Sequence, residues 1–419
     1  MTKRSGRGFF YGYWLVAFGF LCMLISIGCS SFVFSMFVKP LGDSFGWGRG
    51  EVMVSFAIIY IAMGIASPFV GRFVDRHGAR TVIPLGALIL GFGFLIVSRM
   101  SELYVFYLGY VLIGVGVTMS GQVPSSAIIS NWFKRRRGMA LGVMSAGFGA
   151  GGVVMAPIVG FFIENVGWRE AYLAMAVIVW VTLIPLGLLL VRTKPSEMGL
   201  YPDGESAPPP PAEGVATAPA TSGVTLRQAA VMSAFWLIGI AFSLRGFSSM
   251  GALQASVPFL DDAGFPTGTA AAALGTVGVG SALGKLFFGW LCDRIPPKFA
   301  CAIGLTLQFA ATLVLLSVHA NSPMAVIWTF AILHGLGAGG WLPTMSMLVS
   351  TGFGLASYGA VFGAITSLQA IGTATGPLFE GMVYDATGTY LWAMVTFAAL
   401  YVIAIPAVLL VKRPKAPAA

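Results

Sequence analysis

The sequence has 419 residues, of which 57% are hydrophobic and only 9% are charged, whereas a soluble globular protein carries about 25% charged residues. This composition excludes an ordinary soluble protein and predicts an integral membrane protein. The net charge of +9 is interpreted as a mark of membrane topology, and no nucleic-acid partner is expected.

The apolar residues fall into about twelve stretches, each near the twenty residues that cross a hydrocarbon core of roughly 30 Å. The first stretch follows a basic start and continues to about Val38 without a small-residue cleavage site, which favours a retained span over a secretory signal. We therefore predict an all-α membrane protein with twelve transmembrane helices. Their approximate centres are residues 24, 61, 90, 115, 150, 181, 245, 279, 308, 337, 368 and 401.

Basic residues lie mainly on one side of the predicted membrane. An even number of spans places both termini on the same side, and Lys and Arg are enriched in cytoplasmic loops. Both termini are therefore predicted to be cytoplasmic, in the inner (plasma) membrane. The predicted cytoplasmic set is Lys3, Arg4, Arg7, Arg72, Arg76, Arg80, Lys134, Arg135, Arg136, Arg137, Arg192, Lys194, Arg227, Arg294, Lys298, Lys412, Arg413 and Lys415, against Lys39, Arg49, Arg99 and Arg169 on the other side.

One segment interrupts the spans. Residues 193–226 include SAPPPPAEGVATAPATSG, a Pro-, Ala- and Ser-rich composition that cannot bury enough apolar surface to fold. We predict an N-terminal six-helix half at 1–192, a disordered cytoplasmic linker at 193–226 and a C-terminal six-helix half at 227–419.

The two halves repeat one another. The segment GRFVDRHGAR (71–80) recurs as GWLCDRIPPK (289–298), and further matches occur at nearly the same offset. Two six-span repeats in one orientation are typical of many secondary transporters, whose site lies near the middle of the membrane between the halves. The further matches pair Gly138, Gly142, Pro157 and Glu164 with Gly359, Gly363, Pro377 and Asp385.

GRFVDRHGAR resembles the loop between spans 2 and 3 of the major facilitator superfamily, and the similarity extends over essentially the whole chain. Within that superfamily, FYGYWLVAFGF in span 1 and NWFKRRRGMALGVMSAGFGAGG (131–152) resemble the monocarboxylate transporter family. FGWGRGE and VGWREAY, which follow spans 1 and 5, resemble its bacterial branch. The resemblance implies two pseudo-symmetric six-helix halves that alternate access to a central site.

The resemblance also implies a gating role for the repeated loop motif. Asp75 is expected to meet the first turn of span 11 near Ser357 and Tyr358, where free N–H groups and the helix dipole favour an anion. A solvated loop is the alternative. The motif residues are Gly71, Asp75, Arg76, Gly78 and Arg80 in the first copy and Gly289, Asp293 and Arg294 in the second, where Pro296 and Pro297 change the loop.

Lys134 to Arg137 form the densest basic cluster, for which a topology anchor against anionic lipid headgroups and a lock against the end of span 11 both remain open. The small residues after it favour close helix packing. GGVVMAPIVG (151–160) resembles the span 5 motif of drug/proton antiporters, with Ala156 in place of a glycine.

Lys285 is predicted to lie near the middle of the membrane. It stands eight residues before Asp293, which is about 12 Å along a helix, and a charge at that depth is costly enough to suggest a function. In monocarboxylate and oxalate/formate-type transporters, an arginine at the matching position binds the substrate carboxylate. The alternative is a lysine whose long side chain extends to the interface.

Other polar residues within spans are candidates for the same site. Arg245 is expected either to contact substrate or to pair with an acid such as Glu380. His334 has a near-neutral pKa when free and is, with Glu380, a candidate proton carrier; a buried structural histidine is the alternative. Further candidate substrate contacts are Gln122, Ser281, Trp341, Ser67 and Ser35.

The family pattern is incomplete in this sequence. Animal monocarboxylate transporters couple protons through a lysine on span 1 and an aspartate on span 8, which align here with Ser35 and Ser281. The second lysine of the oxalate-type exchangers aligns with Ile365. Proton symport by the family route and oxalate as substrate are therefore disfavoured, although a dicarboxylate stays open because of Arg245.

The function predicted from the sequence is secondary active transport of a small organic anion, such as lactate or pyruvate, with proton symport left open. A drug or metabolite/proton antiporter is the competing interpretation, and a carboxylate sensor that does not transport is a further one. We expect a monomer in the lipid bilayer with no cofactor, no metal and no enzymatic activity.

Overall fold

The computed structural model of the protein describes residues 10–204, 223–265, 267–319 and 322–411. Most of the predicted linker and the basic residues near both termini lie outside the described residues. The helices of the first half are α1 (Gly12–Ile27), α2 (Ser35–Phe45), α3 (Arg49–His77), α4 (Ala79–Ser98), α5 (Leu103–Ser120), α6 (Gln122–Trp132), α7 (Arg137–Asn165) and α8 (Trp168–Leu190). Those of the second half are α9 (Leu226–Ala230), α10 (Ser233–Asp262), α11 (Thr267–Cys292), α12 (Pro297–Leu316), α13 (Met324–Gly339), α14 (Trp341–Phe353), α15 (Tyr358–Thr387) and α16 (Leu391–Leu409).

These helices form the predicted twelve-helix arrangement. Eleven helical segments in the described part of the chain are long and apolar enough to cross a membrane by length and composition. The twelfth is α15, whose sequence is more polar because it carries threonines, Gln369 and Glu380 among its apolar residues. It packs along α3 in the first half and α10 in the second.

A π-helical segment at Gly28–Phe32 divides span 1 into α1 and α2, and two further predicted spans are broken into pairs of helices. Span 4 divides into α5 and α6 at Gly121, and span 10 divides into α13 and α14 at Gly340. Each break comes three residues before a proline, Pro124 or Pro343. A proline inside a helix lacks an N–H donor and collides with the carbonyl four residues earlier, which is the last residue of α5 or α13. The two breaks occupy equivalent places in the two halves.

Two helix crossings join the halves, α3 with α15 and α7 with α11, and both depend on glycine. A Cβ atom on Gly71 would lie 1.8 Å from the carbonyl oxygen of Gly359, and one on Gly138 would lie 2.3 Å from that of Gly289. Only residues without a side chain let two helix backbones approach so closely. The motif glycines therefore permit direct main-chain contact between the halves.

The loop motifs and most basic residues lie together at one end of the bundle, which we call the basic face; it holds Arg76, Arg80, Lys134 to Arg137, Arg294 and Lys298. The last basic residue of each motif copy bonds the final helix of its own half. Arg80 donates to the carbonyl of Leu188 at 3.1 Å, and Lys298 donates to that of Leu409 at 3.2 Å. The last carbonyls of a helix lack partners in their own helix and favour positive charge, so these bonds stabilise α8 and α16.

Candidate functional site

The acid of the first motif copy binds the other half of the protein. The carboxylate of Asp75, near the end of α3, accepts the N–H groups of Gly359 at 2.9 Å and Ala360 at 2.8 Å. These donors lie in the first turn of α15, one to three residues beyond Ser357 and Tyr358. Free N–H groups at a helix start favour an anion, so this contact closes α3 onto α15; we call it the first latch.

The second motif copy makes the same contact. Asp293, just past the end of α11, accepts the N–H groups of Gly138 at 2.6 Å and Met139 at 2.8 Å, in the first turn of α7. We call this the second latch. Burial raises the pKa of the Asp293 carboxyl above its usual value, and the N–H groups of Met139 and Gly138 oppose that rise. The latch therefore loses its charge at a higher pH than an exposed aspartate would.

The loops that carry the two latches differ as their sequences suggest. Gly78 has a φ of +77° between α3 and α4, a conformation that favours glycine. In the second copy, Pro297 begins α12 after an extended Pro296. Both loops nevertheless hold their aspartates at equivalent positions.

Lys285 lies where the halves meet, and its side chain is only 5% exposed. Its ammonium donates to the hydroxyl of Ser281 at 2.9 Å and stands 5.3 Å from the centre of the Phe148 ring on α7. The contact with the ring is a cation–π interaction across the two halves. The side chain is thus held within the bundle rather than extended to the membrane interface.

Arg245 is the second buried cation of the second half, at 8% exposure. It donates to the carbonyl of Ala338 at 3.1 Å, in the last turn of α13 just before the break at Gly340. A small cavity lies beside it, and Trp341 and Thr344 are among the residues that line it. Among the described residues Arg245 forms no ion pair with Glu380, so the structure does not form the pair considered from the sequence.

His334 is completely buried one turn before Ala338. Its ring packs on Phe330 at 5.5 Å, and within the described ranges neither ring nitrogen has a hydrogen-bond partner. Glu380 stands eleven residues beyond Gln369 on α15, which is about 16 Å along the helix. Among the described residues no hydrogen bond joins the two candidate proton carriers.

Trp341 and Gln122 begin the helices that follow the two breaks. The indole of Trp341 donates to the side-chain oxygen of Gln369 at 2.6 Å and meets the Phe148 ring edge-on at 6.5 Å. The side-chain nitrogen of Gln122 is buried and has no partner in the described part of the chain. Trp341 therefore links the surroundings of Arg245 to the Phe148 ring that faces Lys285.

Ser67 is placed away from this group of residues. Its hydroxyl donates to the carbonyl of Met63 in its own helix at 2.8 Å, and its main chain packs against Gly363. It belongs to the contact of α3 with α15. Ser35 begins α2, and its side chain lies outside the described residues.

Phe148 and Gln369 are site residues that the sequence analysis missed. Phe148 faces Lys285 from the other half, and Gln369 holds the indole of Trp341. A phenylalanine in an apolar span carries no signal of its own. Gln369 could have been noticed as an amide within a predicted span.

Sequence comparison identifies related proteins over nearly the whole chain. The family profile described as Major Facilitator Superfamily matches residues 16–377. An uncharacterized MFS-type transporter of Bacillus subtilis (strain 168), YcxA, is 25% identical over 392 residues, covering 88% of each chain. Human monocarboxylate transporter 11 is 28% identical over 333 residues, covering 78% of this chain and 67% of that protein.

Structure comparison gives the same fold. The crystal structure of the human organic anion transporter MFSD10 (TETRAN) superposes with a TM-score of 0.71 at 15% identity, covering 95% of this chain and 99% of that one. The similar proteins are transporters and not enzymes. The chain belongs to the major facilitator superfamily, as a multi-pass membrane transporter with twelve helices in two pseudo-symmetric halves.

Proposed function

We propose that the protein is a secondary active transporter of a small organic anion, most simply a monocarboxylate such as lactate or pyruvate. The observation that carries this proposal is a pair of buried cations without an acid. Lys285 has a hydroxyl and an aromatic ring as neighbours, Arg245 has a backbone carbonyl, and no carboxylate contacts either within the described residues.

The cost of this arrangement favours an anionic ligand. A basic side chain at mid-membrane costs about 2.5 to 3.5 kcal/mol on insertion scales, and the hydroxyl of Ser281 compensates only part of it. A carboxylate bound between the halves would offset the charge of Lys285 with a charge-assisted hydrogen bond. The name of one relative, human monocarboxylate transporter 11, supports the same ligand class.

Alternating access follows from the position of the latches. Both latches join the halves at the basic face, and both must open for a substrate beside Lys285 to leave there. We propose that this face is cytoplasmic, in line with the enrichment of Lys and Arg, with both termini on that side of an inner membrane. A single chain supplies Lys285, Phe148 and Arg245, so we propose the monomer as the functional unit.

We propose His334 as the residue that couples protons. It is completely buried one turn before Ala338, whose carbonyl accepts a hydrogen bond from Arg245, so its protonation would respond to an anion bound beside Arg245. Glu380 on α15 is the second candidate.

The test is uptake of labelled lactate, pyruvate and larger carboxylates into proteoliposomes, with and without a pH gradient. We expect saturable uptake that Lys285→Ala abolishes and that the matched loss of an exposed charge, Arg227→Ala, leaves unchanged. Uptake of no organic anion, or equal uptake by Lys285→Ala, would overturn the proposal. Efflux of a cationic drug driven by protons would support the antiporter interpretation instead.

A further inference from the structure

A second group of buried polar side chains lies between the halves, nearer to the basic face than Lys285. The hydroxyls of Ser126, Ser130 and Ser346 lie close enough to the phenol oxygen of Tyr358, the first residue of α15, to interact with it. Ser126 and Ser130 come from α6 in the first half, whereas Ser346 and Tyr358 come from the second half. We call these four residues the hydroxyl cluster.

The hydroxyl cluster is buried but not satisfied. Its side chains are at most 2% exposed, and none of the four oxygens has a hydrogen bond of good geometry within the described residues. Buried hydroxyls are normally paired, and a native exception calls for an explanation. Four such groups that face one another across the halves indicate a ligand or water that occupies the space when the halves part.

The cluster continues a polar line that begins at the centre of the bundle. Gln122, Ser126 and Ser130 occur every four residues on α6, so they share one face of that helix. The line covers eight residues, or about 12 Å, from the break at Gly121 toward the basic face. All three residues have buried side-chain atoms without partners in the described ranges.

Arg137 makes the hydroxyl cluster selective for an anion over a cation. Hydroxyl groups bind either charge, because they donate and accept, but the Arg137 guanidinium acts electrostatically on Tyr358. Its Nε–H donates to the carbonyl of Phe133 at 2.8 Å, and no other hydrogen bond or ion pair engages it in the part of the chain that the structure describes.

The acids nearest to Arg137 are already engaged elsewhere. Asp203 and Asp293 both interact with its charge. However, Asp203 accepts the N–H groups of Lys134 and Arg135, and both oxygens of Asp293 take part in the second latch. The guanidinium thus keeps donors for a further anion.

We propose that the hydroxyl cluster and Arg137 form a second anion-binding site, which a small monovalent anion occupies on its route between Lys285 and the basic face. The proposal rests on the proposed function in that the transported carboxylate would pass both sites. An inorganic anion such as chloride has the same charge as a monocarboxylate and accepts hydrogen bonds from the same donors. In the closed arrangement the empty site is sealed by the phenol of Tyr358.

The test measures charge selectivity with a thiol-directed probe, independently of transport. Ser126→Cys and Ser130→Cys are prepared with the native cysteines Cys22, Cys29, Cys292 and Cys301, all buried free thiols, replaced by alanine. In lipid nanodiscs, each variant is treated with an anionic sulfonatoethyl or a cationic trimethylammonioethyl methanethiosulfonate. The labelling rate of each variant with each reagent is divided by the rate at which that reagent reacts with a free thiol.

We expect the anionic reagent to react about tenfold faster at both positions after this correction. Arg137→Gln should remove the preference, and Arg137→Lys should keep it. The control is Ser145→Cys, whose native hydroxyl is buried but bonded to the carbonyl of Gly142, and which should stay unreactive. Lack of reaction at both positions, equal rates, or a preference that Arg137→Gln leaves intact would overturn the proposal.

Protection of the introduced cysteines from labelling then identifies the anion that binds at the second site. At constant ionic strength, sodium chloride or sodium lactate is exchanged for sodium gluconate, and at least one of them should slow the anionic reagent severalfold. Protection by chloride alone indicates an inorganic anion, and protection by lactate indicates the transported carboxylate. Protection by neither would contradict the site. If no organic anion is taken up while labelling is charge-selective, the transport proposal fails and the site stands.

Discussion

The crossing of α7 with α11 and the crossing of α3 with α15 share a main-chain geometry but differ in the side chain at their centre. A Cβ on Gly142 would lie 2.5 Å from the carbonyl oxygen of Lys285, and one on Gly363 would lie 2.1 Å from that of Ser67. Lys285 and Ser67 each stand four residues before the first glycine of their motif copy. The duplicated architecture therefore carries the proposed ligand chemistry on one side only.

This difference separates two roles. Ser67 turns its hydroxyl to its own helix, whereas Lys285 reaches Ser281 and the Phe148 ring of the other half. A contact that only closes the halves needs small residues at this position. A contact that also binds an anion needs a positive charge, and only the α7–α11 crossing has one there.

The largest expected effect comes from making the two crossings alike. Lys285→Ser should lower kcat/KM for anion uptake by about 100-fold or more, because a buried charge partner is worth several kcal/mol to a bound carboxylate. Ser67→Ala should leave uptake within about twofold, since its hydroxyl donates to the carbonyl of Met63 in its own helix. Proteoliposome uptake of both variants measures this. Equal losses would mean that the site is shared between the crossings.

Closure of the halves should depend on the motif glycines. Gly71→Ala should destabilise the closed form by about 1 to 3 kcal/mol, the usual range for overpacking, because the added methyl group collides with the carbonyl of Gly359. Melting of the purified protein in detergent should show a lower Tm. Gly149→Ala is the matched control, because no described atom lies within 4 Å of a Cβ there; an equal loss in Tm would contradict the contact.

The two latches should contribute equally to turnover. Asp75→Asn and Asp293→Asn each leave one acceptor oxygen for two N–H donors, and a hydrogen bond to a charged group is worth about 1.5 to 3 kcal/mol. We expect uptake to slow about tenfold in either variant, with normal membrane insertion. Unchanged uptake rates would contradict the latches, and a large difference between the variants would show that one crossing controls the gate.

Much of this arrangement could be predicted from the sequence. The number of spans follows from apolar length, the depth of Lys285 follows from its distance to Asp293, and the partner region of Asp75 is implied by the resemblance to the superfamily. The rotation of each helix does not follow, because a sequence gives depth but not the neighbour that a side chain faces. For that reason Ser67 was grouped with the site, and Phe148 was not.

The helix breaks show a further limit of the same kind. Gly121 and Gly340 lie in apolar runs long enough for a single span, so length alone predicts continuous helices. The equivalent prolines, Pro124 and Pro343, carry the signal, but a proline in a transmembrane helix is also compatible with a kink. The structure shows breaks, which place Gln122 and Trp341 at helix starts near the centre of the bundle.

The smallest expected effect concerns the basic residues that end the two motif copies. Arg80→Ala and Lys298→Ala each remove a donor to the last carbonyls of α8 or α16, a favourable interaction of about 0.3 to 1 kcal/mol. We expect a drop in Tm of a few degrees or less for each, with KM for the transported anion unchanged. A change in KM for either variant would show that the basic face contacts substrate. The difference between the α7–α11 and α3–α15 crossings would then not account for anion binding by itself. Because Arg80 bonds within the first half and Lys298 within the second, their small effects should be independent and additive.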